Sequence, residues 1–182
     1  MKDISPEILE KAKRIKLIIF DVDGVLTDGG IIYDNAGQEY KRFNVKDGQI
    51  IKYLREFNIL TGVITGRDSQ VVRNRCNELK IDFHHHGIEN KVDVFKKVLD
   101  EFKLSKDEVA YVGDDINDLP ILVNCGLSTT PADGHNAVKK YVDHITKVEG
   151  GKGVLRELAD LVLYSQGYYD QIINDLTSNG DF

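Results

Sequence analysis

The 182-residue chain is 41% hydrophobic and 30% charged, a balance that suits one globular domain with a substantial core. Its formal net charge of −6, without a block of basic residues, disfavours a nucleic-acid-binding protein. Because the first twenty residues lack the apolar core of a signal peptide and no segment is apolar enough to span a membrane, the sequence predicts a cytoplasmic protein without a membrane partner.

The beginning of the chain predicts a short helix followed by a buried strand. A serine–proline pair starts the helix, which we expect within residues 1–15. The apolar run from Leu17 to Phe20 is typical of a strand buried in a parallel sheet. This strand ends on Asp21 and Asp23, which alternation places on the same side, and Gly24 then lets the chain turn away.

Two short β-prone runs around a turn rich in Asp, Asn and Gly predict a hairpin flap over residues 29–43. Its apolar residues fit an assembly surface and an ordinary half-buried hairpin about equally well. The polar segment 44–48 is predicted as a turn, and a helix is expected after it.

Strands and helices alternate along the rest of the chain. The predicted strands cover residues 59–65, 82–86, 109–114, 126–130 and 142–146, and a long helix beginning at Val154 runs into a C-terminal tail over residues 168–182. This alternation predicts an α/β fold, a doubly wound, Rossmann-like parallel sheet, in a single domain over residues 1–182. Right-handed crossovers bring the strand ends at Asp21, Thr65 and Asp114 to one edge.

The residue types at that edge suit phosphoryl chemistry. Asp21 and Asp114 can chelate Mg²⁺, while Thr65 and Lys91 offer a hydroxyl and a positive charge to a phosphoryl group. Asp21 can attack phosphorus as a nucleophile. Asp23, two residues further on, can protonate the leaving group and then activate water.

These residues resemble the four motifs of the haloacid dehalogenase-like hydrolases, namely residues 21–27, Thr65, Lys91 and residues 113–118. Segments 21–29, 43–48, 64–67 and 150–153 resemble more closely the family of 3-deoxy-D-manno-octulosonate 8-phosphate phosphatases. That family is capless, Mg²⁺-dependent and homotetrameric, and it acts in lipopolysaccharide precursor synthesis. The sequence agrees with a capless fold, because neither gap between the motifs has room for a cap domain.

The resemblance also implies roles for individual residues. Asp21 is the implied nucleophile, Asp23 the acid/base with its backbone carbonyl on the metal, and Asp114 the other protein ligand of Mg²⁺. The implied substrate-binding residues, which would hold a sugar-acid phosphate, are Asn44, Lys46, Asp47, Gly48, Lys52, Arg67, Arg75 and Lys91. Lys46 and Lys52 depart from the arginines common in the family, and a lysine lacks the planar fork that grips a carboxylate.

Several alternatives stay open. Asp115 and Asp118 suit either orienting the waters of the metal or capping a helix. A phosphatase for nine-carbon sialic acid-type 9-phosphates is the nearest rival enzyme, and a phospho-acceptor or assembly domain without turnover is the rival from another class. The run His84 to His86 disfavours zinc, because neighbouring strand residues point to opposite faces, and both cysteines are expected to be inert core residues.

Overall fold

The computed structural model describes residues 4–178. Its centre is a parallel sheet of six strands in the order β5-β4-β1-β6-β7-β8. These strands are β1 (Leu17–Phe20), β4 (Leu60–Ile64), β5 (Phe83–His85), β6 (Val109–Val112), β7 (Leu127–Thr130) and β8 (His144–Ile145). The parallel, doubly wound sheet predicted from the alternation of strands and helices is confirmed.

The helices cover both faces of this sheet. They are α1 (Pro6–Lys13), α2 (Val45–Glu56), α3 (Gln70–Leu79), α4 (Lys91–Phe102), α5 (Leu119–Leu122), α6 (Val154–Ser165) and α7 (Tyr168–Ser178). Alternation along β1 divides the core, because Ile18 and Phe20 pack into the apolar cluster on one face and Leu17 and Ile19 into the cluster on the other.

The register brings the ends of three central strands level. Phe20, the last residue of β1, lies opposite Val63 of β4 and Val112 of β6. The polar residues that follow the strands therefore meet at one carboxyl edge, where open α/β sheets bind their ligands. The predicted convergence of the Asp21, Thr65 and Asp114 strand ends is confirmed.

Residues 32–40 form the predicted hairpin from β2 (Ile32–Tyr33) and β3 (Glu39–Tyr40), which pair antiparallel. Ile31, Ile32 and Tyr33 are each more than half exposed. Among residues 4–178, only this hairpin is inserted between β1 and α2, and only α3 and β5 lie between Thr65 and Lys91, so the described chain has no cap domain. No helix of the described chain combines the length and the apolar character that crossing a membrane requires.

One predicted element is wrong. The segment 44–48 is the start of α2 rather than a turn, because Asn44 is its N-cap and accepts a hydrogen bond from the Lys46 N–H. The predicted C-terminal tail contains a separate helix, α7, which begins after a glycine with a φ of 79° and stacks the Tyr168 ring on Phe57 at a centroid distance of 4.2 Å. The predictions for residues 1–3 and 179–182 lie outside the described residues.

Candidate active site

A cleft of about 270 Å³ lies at the carboxyl edge of β1, β4 and β6. It is lined by Asp21, Asp23, Gly24, Gly29, Thr65, Gly66, Arg67, Asp114, Asp115 and Asn117. Four of the predicted catalytic or metal-binding side chains are therefore in one place: Asp21, Asp23, Thr65 and Asp114. Lys91, the fifth, lies beside Asp21.

Asp21 is buried and paired with a buried lysine. Its Oδ1 accepts a hydrogen bond from the Val22 N–H at 2.7 Å, and its Oδ2 accepts one from Lys91 Nζ at 2.6 Å. Burial raises the pKa of Asp21 to about 6, and the positive charge of Lys91 opposes that rise. Lys91 is the first residue of α4, so the start of this helix delivers the ammonium to the end of β1.

Asp118 lies behind this pair and positions it. Its Oδ1 accepts hydrogen bonds from Lys91 Nζ at 2.8 Å and from the Tyr111 hydroxyl at 2.7 Å. Its Oδ2 accepts the N–H of Asp114 at 3.2 Å, which ties Asp118 to the strand end that carries another acid. Asp118 is fully buried, so each of these bonds is shielded from water.

Asp115 was predicted, like Asp118, either to orient the waters of the metal or to cap a helix, and its contacts differ from those of Asp118. Asp115 accepts the Ile116 N–H at 2.7 Å and is the N-cap of the short 3-10 helix Ile116–Asp118. Its backbone N–H also points to Asp118 Oδ2, at 3.4 Å. The geometry therefore gives Asp115 a role as a helix cap. Asp115 also lines the cleft.

The acids of the cleft form a cluster that suits a hard divalent cation. One carboxylate oxygen from each of Asp21, Asp114 and Asp118 lies within 4.8 Å of the other two. Burial, followed by the charges of Asp21 and Asp118, raises the pKa of Asp114 to about 7. Gly24 leaves room for this carboxylate, because a Cβ at that position would lie 2.0 Å from Asp114 Oδ2. Asp21 and Asp114 line the cleft, whereas Asp118 does not, so Asp21 and Asp114 are the carboxylates that fit Mg²⁺.

Thr65 lies at the end of β4 with its hydroxyl available for a ligand. The residue is 2% exposed, and within residues 4–178 its hydroxyl forms no hydrogen bond. Its backbone is fixed from both sides, because its N–H donates to the His85 carbonyl at 3.0 Å and its carbonyl accepts the Ile88 N–H at 3.1 Å. These two bonds therefore hold the Thr65 backbone in place at the cleft.

The hairpin and the residue that follows it supply two side chains that sequence reasoning missed, Lys41 at Asp23 and Glu39 beside Lys41. Lys41 binds the Asp23 carboxylate, and its side chain is fully buried. Glu39 lies 3.6 Å from Lys41 Nζ, accepts a hydrogen bond from Arg67 at 3.1 Å and also binds the Ser69 hydroxyl. Arg67 Nε is 3.6 Å from Asp23 Oδ2. Positions 39 and 41 alternate with 40 and 42 along the hairpin, and this alternation was the available signal.

Apart from Lys91, which contacts Asp21, six predicted substrate-binding residues lie outside the lining of this cleft: Asn44, Lys46, Asp47, Gly48, Lys52 and Arg75. Asn44 donates to the Gly151 carbonyl at 3.3 Å, and Lys46 is exposed in the first turn of α2. Asp47 points into the protein, where its Oδ1 accepts the Arg156 N–H at 2.8 Å in the first turn of α6. Helical periodicity explains this, because a helix that begins at residue 45 turns position 47 toward the core.

Lys52 on α2 and Arg75 on α3, both predicted to bind substrate, face other surfaces. Lys52 lies 3.7 Å from Glu56 on the exposed side of α2. Arg75 pairs with Glu78 at 2.8 Å and lies over the Phe43 ring. Of the predicted substrate-binding arginines, the single chain therefore brings Arg67 to the cleft and leaves Arg75 on a neighbouring surface. Substrate roles for these six residues stay predictions.

A family comparison agrees with this geometry. Residues 86–158, which include Lys91, Asp114 and Asp118, match the model of the haloacid dehalogenase-like hydrolases.

Comparisons along almost the whole chain are more specific. The chain is 42% identical over 168 residues to the 3-deoxy-D-manno-octulosonate 8-phosphate phosphatase of Salmonella typhimurium, which covers 92% of this chain and 89% of the relative. The crystal structure of the phosphatase of that name from Yersinia pestis superposes with a TM-score of 0.90, at 35% identity, over 92% of this chain and 90% of that one. The Moraxella catarrhalis enzyme, solved with a magnesium ion, a phosphate ion and a KDO molecule, gives a TM-score of 0.91, at 36% identity, over 93% and 98%.

Proposed function

The chain belongs to the 3-deoxy-D-manno-octulosonate 8-phosphate phosphatases of the haloacid dehalogenase-like hydrolases, and we propose that it is a Mg²⁺-dependent phosphomonoesterase that releases phosphate from this sugar-acid phosphate. The observation that carries the proposal is the contact between Asp21 Oδ2 and Lys91 Nζ, at 2.6 Å, in a cleft shared with Thr65 and Asp114. A carboxylate, an ammonium group, a free hydroxyl and a second acid at one strand edge are what transfer of a phosphoryl group to aspartate requires.

In the first step, Asp21 attacks phosphorus through a carboxylate oxygen. The bond between phosphorus and the ester oxygen of the sugar breaks, and its electron pair stays on that oxygen. Asp23 donates a proton to the oxygen, so the free sugar acid leaves. Lys91 Nζ and the Thr65 hydroxyl hold the phosphoryl oxygens during the transfer.

In the second step, a water molecule hydrolyses the phospho-aspartyl group. Asp23, now a carboxylate, takes a proton from this water as it attacks phosphorus. The bond from phosphorus to Asp21 breaks, inorganic phosphate leaves, and Asp23 is protonated for the next cycle. Asp21 and Asp114, with the Asp23 backbone carbonyl, would hold Mg²⁺, which would supply positive charge to stabilise the transferred phosphoryl group.

Arg67 is our candidate for recognition of the substrate carboxylate. Its guanidinium lies in the cleft lining, and Tyr33 and Glu39 fix its position with contacts of 3.0 and 3.1 Å. A planar guanidinium can form paired hydrogen bonds with a carboxylate, which distinguishes a sugar acid from a neutral sugar phosphate.

We further propose a cytoplasmic homotetramer that acts in lipopolysaccharide precursor synthesis. The support is the family and the exposed apolar residues of the hairpin, Ile31, Ile32 and Tyr33, beside an otherwise open cleft. A neighbouring subunit seated on the hairpin would cover the cleft, which no cap domain covers within residues 4–178.

The test measures phosphate release from 3-deoxy-D-manno-octulosonate 8-phosphate, nine-carbon sialic acid-type 9-phosphates and neutral sugar phosphates. We expect the eight-carbon acid to be preferred, and chelation of Mg²⁺ to abolish turnover. Asp21→Asn removes the nucleophile and should lower turnover by at least about 10³-fold, whereas Asp175→Asn, an exposed change on α7, should leave it unchanged. Mg²⁺-dependent hydrolysis by Asp21→Asn would refute the mechanism, and preference for a nine-carbon acid would refute the substrate.

A further inference from the structure

A cluster of nitrogen and sulfur ligands lies apart from the catalytic cleft. Cys76 in α3 and the histidines at 84 and 86, on and just after β5, each offer a ligand atom within 4.8 Å of the other two. His84 Nδ1 and His86 Nε2 are 2.8 Å apart. No residue of this cluster lines the cleft that contains Asp21.

Alternation along β5 explains how these side chains meet. His84 and His86 are two residues apart and point to one face, toward α3, whereas His85 points to the other face with the Phe83 ring. The sequence disfavoured zinc because three consecutive histidines cannot share one ion. In the structure two of them lie together, and a cysteine from another element completes the group. The expectation that Cys76 is only an inert core residue overlooked this neighbour.

A hydrogen bond fixes the orientation of the His84 ring. His84 Nε2 lies 3.1 Å from Asn77 Oδ1, and an amide oxygen only accepts, so Nε2 carries the proton. His84 Nδ1 then accepts a hydrogen bond from the His86 Nε2–H at 2.8 Å. A bound ion would replace this hydrogen bond, and the His86 proton would move to its other ring nitrogen. A hydrogen bond from the outer ring nitrogen to an acceptor is the usual arrangement around a metal-binding histidine.

The charge states of the cluster suit a cation. Burial lowers the pKa of His86 to about 4 and also lowers that of His84, so both rings are neutral at neutral pH. Arg73 and Arg75 are nearby cations, and their ion pairs with Asp68 at 2.7 Å and with Glu78 at 2.8 Å offset their charges. Burial raises the pKa of Cys76 to about 11, so a bound metal ion would displace the thiol proton.

We propose that Cys76, His84 and His86 form a second metal site, for a divalent transition-metal ion of borderline softness such as Zn²⁺. Thiolate and imidazole select such an ion over Mg²⁺, which takes oxygen ligands. Tetrahedral zinc with bonds of about 2.0–2.3 Å needs ligand atoms about 3.3–3.6 Å apart, so the three groups need only small side-chain adjustments. Both histidines are half-buried, which leaves the fourth position to water.

The bound ion would clamp α3 to β5, an edge strand of the sheet. The two histidine ligands flank His85, whose backbone carbonyl accepts a hydrogen bond from the Thr65 N–H at 3.0 Å. Its expected effect is a metal-dependent rise in melting temperature, because an ion that binds only the folded state stabilises it.

Co²⁺ is the probe that separates this site from the catalytic one. The full-length chain, stripped with a chelator and kept reduced, is titrated with Co²⁺ in the presence of excess Mg²⁺. We expect a thiolate-to-cobalt charge-transfer band in the near ultraviolet, which the oxygen ligands of the cleft cannot produce. Zn²⁺ should remove this band by displacing Co²⁺, whereas further Mg²⁺ should not.

Variants assign the band to residues. Cys76→Ser, His84→Gln and His86→Gln should each abolish it, whereas Cys125→Ser and His85→Gln should keep it. The half-buried histidines tolerate glutamine without a change in the core, so these two variants still test the site if Cys76→Ser fails to fold. Absence of the band from the unmodified chain, or its loss in Cys125→Ser but not in Cys76→Ser, would overturn the proposal.

Discussion

At the scale of single residues, Asp118 shows how a buried carboxylate can serve a site without touching the substrate. It binds Lys91, the Tyr111 hydroxyl and the backbone of the strand end at Asp114. Because all of these bonds are buried, Asp118 sets where the Lys91 ammonium lies relative to Asp21. The position of Asp118 therefore controls how Lys91 lies relative to Asp21, the two residues that we propose act at phosphorus.

We predict that Asp118→Asn lowers kcat by about 10- to 100-fold, the usual cost of removing a group that orients a catalytic residue. The amide keeps the size of the side chain but removes one of the two negative charges beside Lys91. Steady-state kinetics with saturating Mg²⁺ measures the effect. Asp100→Asn, the same change at an exposed position of α4, is the matched control and should stay within about twofold. A kcat for Asp118→Asn equal to that of the control would contradict the role.

At the scale of elements, the hairpin is more than an exposed flap. Its outer residues are apolar and exposed, but the Lys41 side chain binds the Asp23 carboxylate, and Glu39 lies 3.6 Å from the Lys41 ammonium. Lys41 and Arg67 approach the Asp23 carboxylate from the hairpin and from the end of β4. The hairpin thus helps to orient the residue that we propose as the acid/base.

Lys41→Met should lower kcat/KM by about 10- to 100-fold, because a hydrogen bond between charged groups contributes about 1.5–3 kcal/mol. Methionine preserves most of the buried apolar stem, so the change removes mainly the charge. Arg42→Met is the neighbouring control. Arg42 forms an exposed ion pair with Asp28 at 2.6 Å, and losing such a pair costs little. Equal kinetics for the two variants would show that Lys41 does not position Asp23.

At the scale of the whole molecule, Asp47 connects the first turn of α2 to the first turn of α6. Its Oδ1 accepts the Arg156 N–H, whereas its Oδ2 is buried without a hydrogen-bond partner within the described part of the chain. Burial raises the pKa of Asp47 from 3.8 to about 6, against the opposing effect of the backbone N–H donors. The folded state therefore holds this proton more tightly than the unfolded state does.

This difference predicts how stability depends on pH. A raised folded-state pKa contributes stability that is complete below pH 3.8 and is lost as the pH rises through about 6. Asn at position 47 cannot titrate. Between pH 4 and 7, the unfolding free energy of the unmodified chain should therefore fall by about 2–3 kcal/mol more than that of Asp47→Asn. Denaturant titrations with a chelator present measure both profiles, and parallel profiles would refute the shift.

The sequence by itself determined the sheet and the order of the catalytic motifs. Apolar runs such as Leu17 to Phe20 encode buried strands locally, and the right-handed crossover rule then leaves little choice about where their ends lie. The sequence could predict that Asp21, Thr65 and Asp114 lie together, because each comes within two residues of the end of a strand. Lys91 was predictable for a similar reason, since it begins a helix at the same edge.

Only the tertiary structure decided which side chains meet between elements. The Lys41–Asp23 pair, the inward-pointing Asp47 and the group around Cys76 depend on how a hairpin or a helix is rotated against the sheet. Local patterns do not encode that rotation, because it results from packing of the whole core and a change of one residue in a helix start turns each side chain by about 100°. The sequence therefore determined the groups that we propose to react, and the packing determined the groups that hold them.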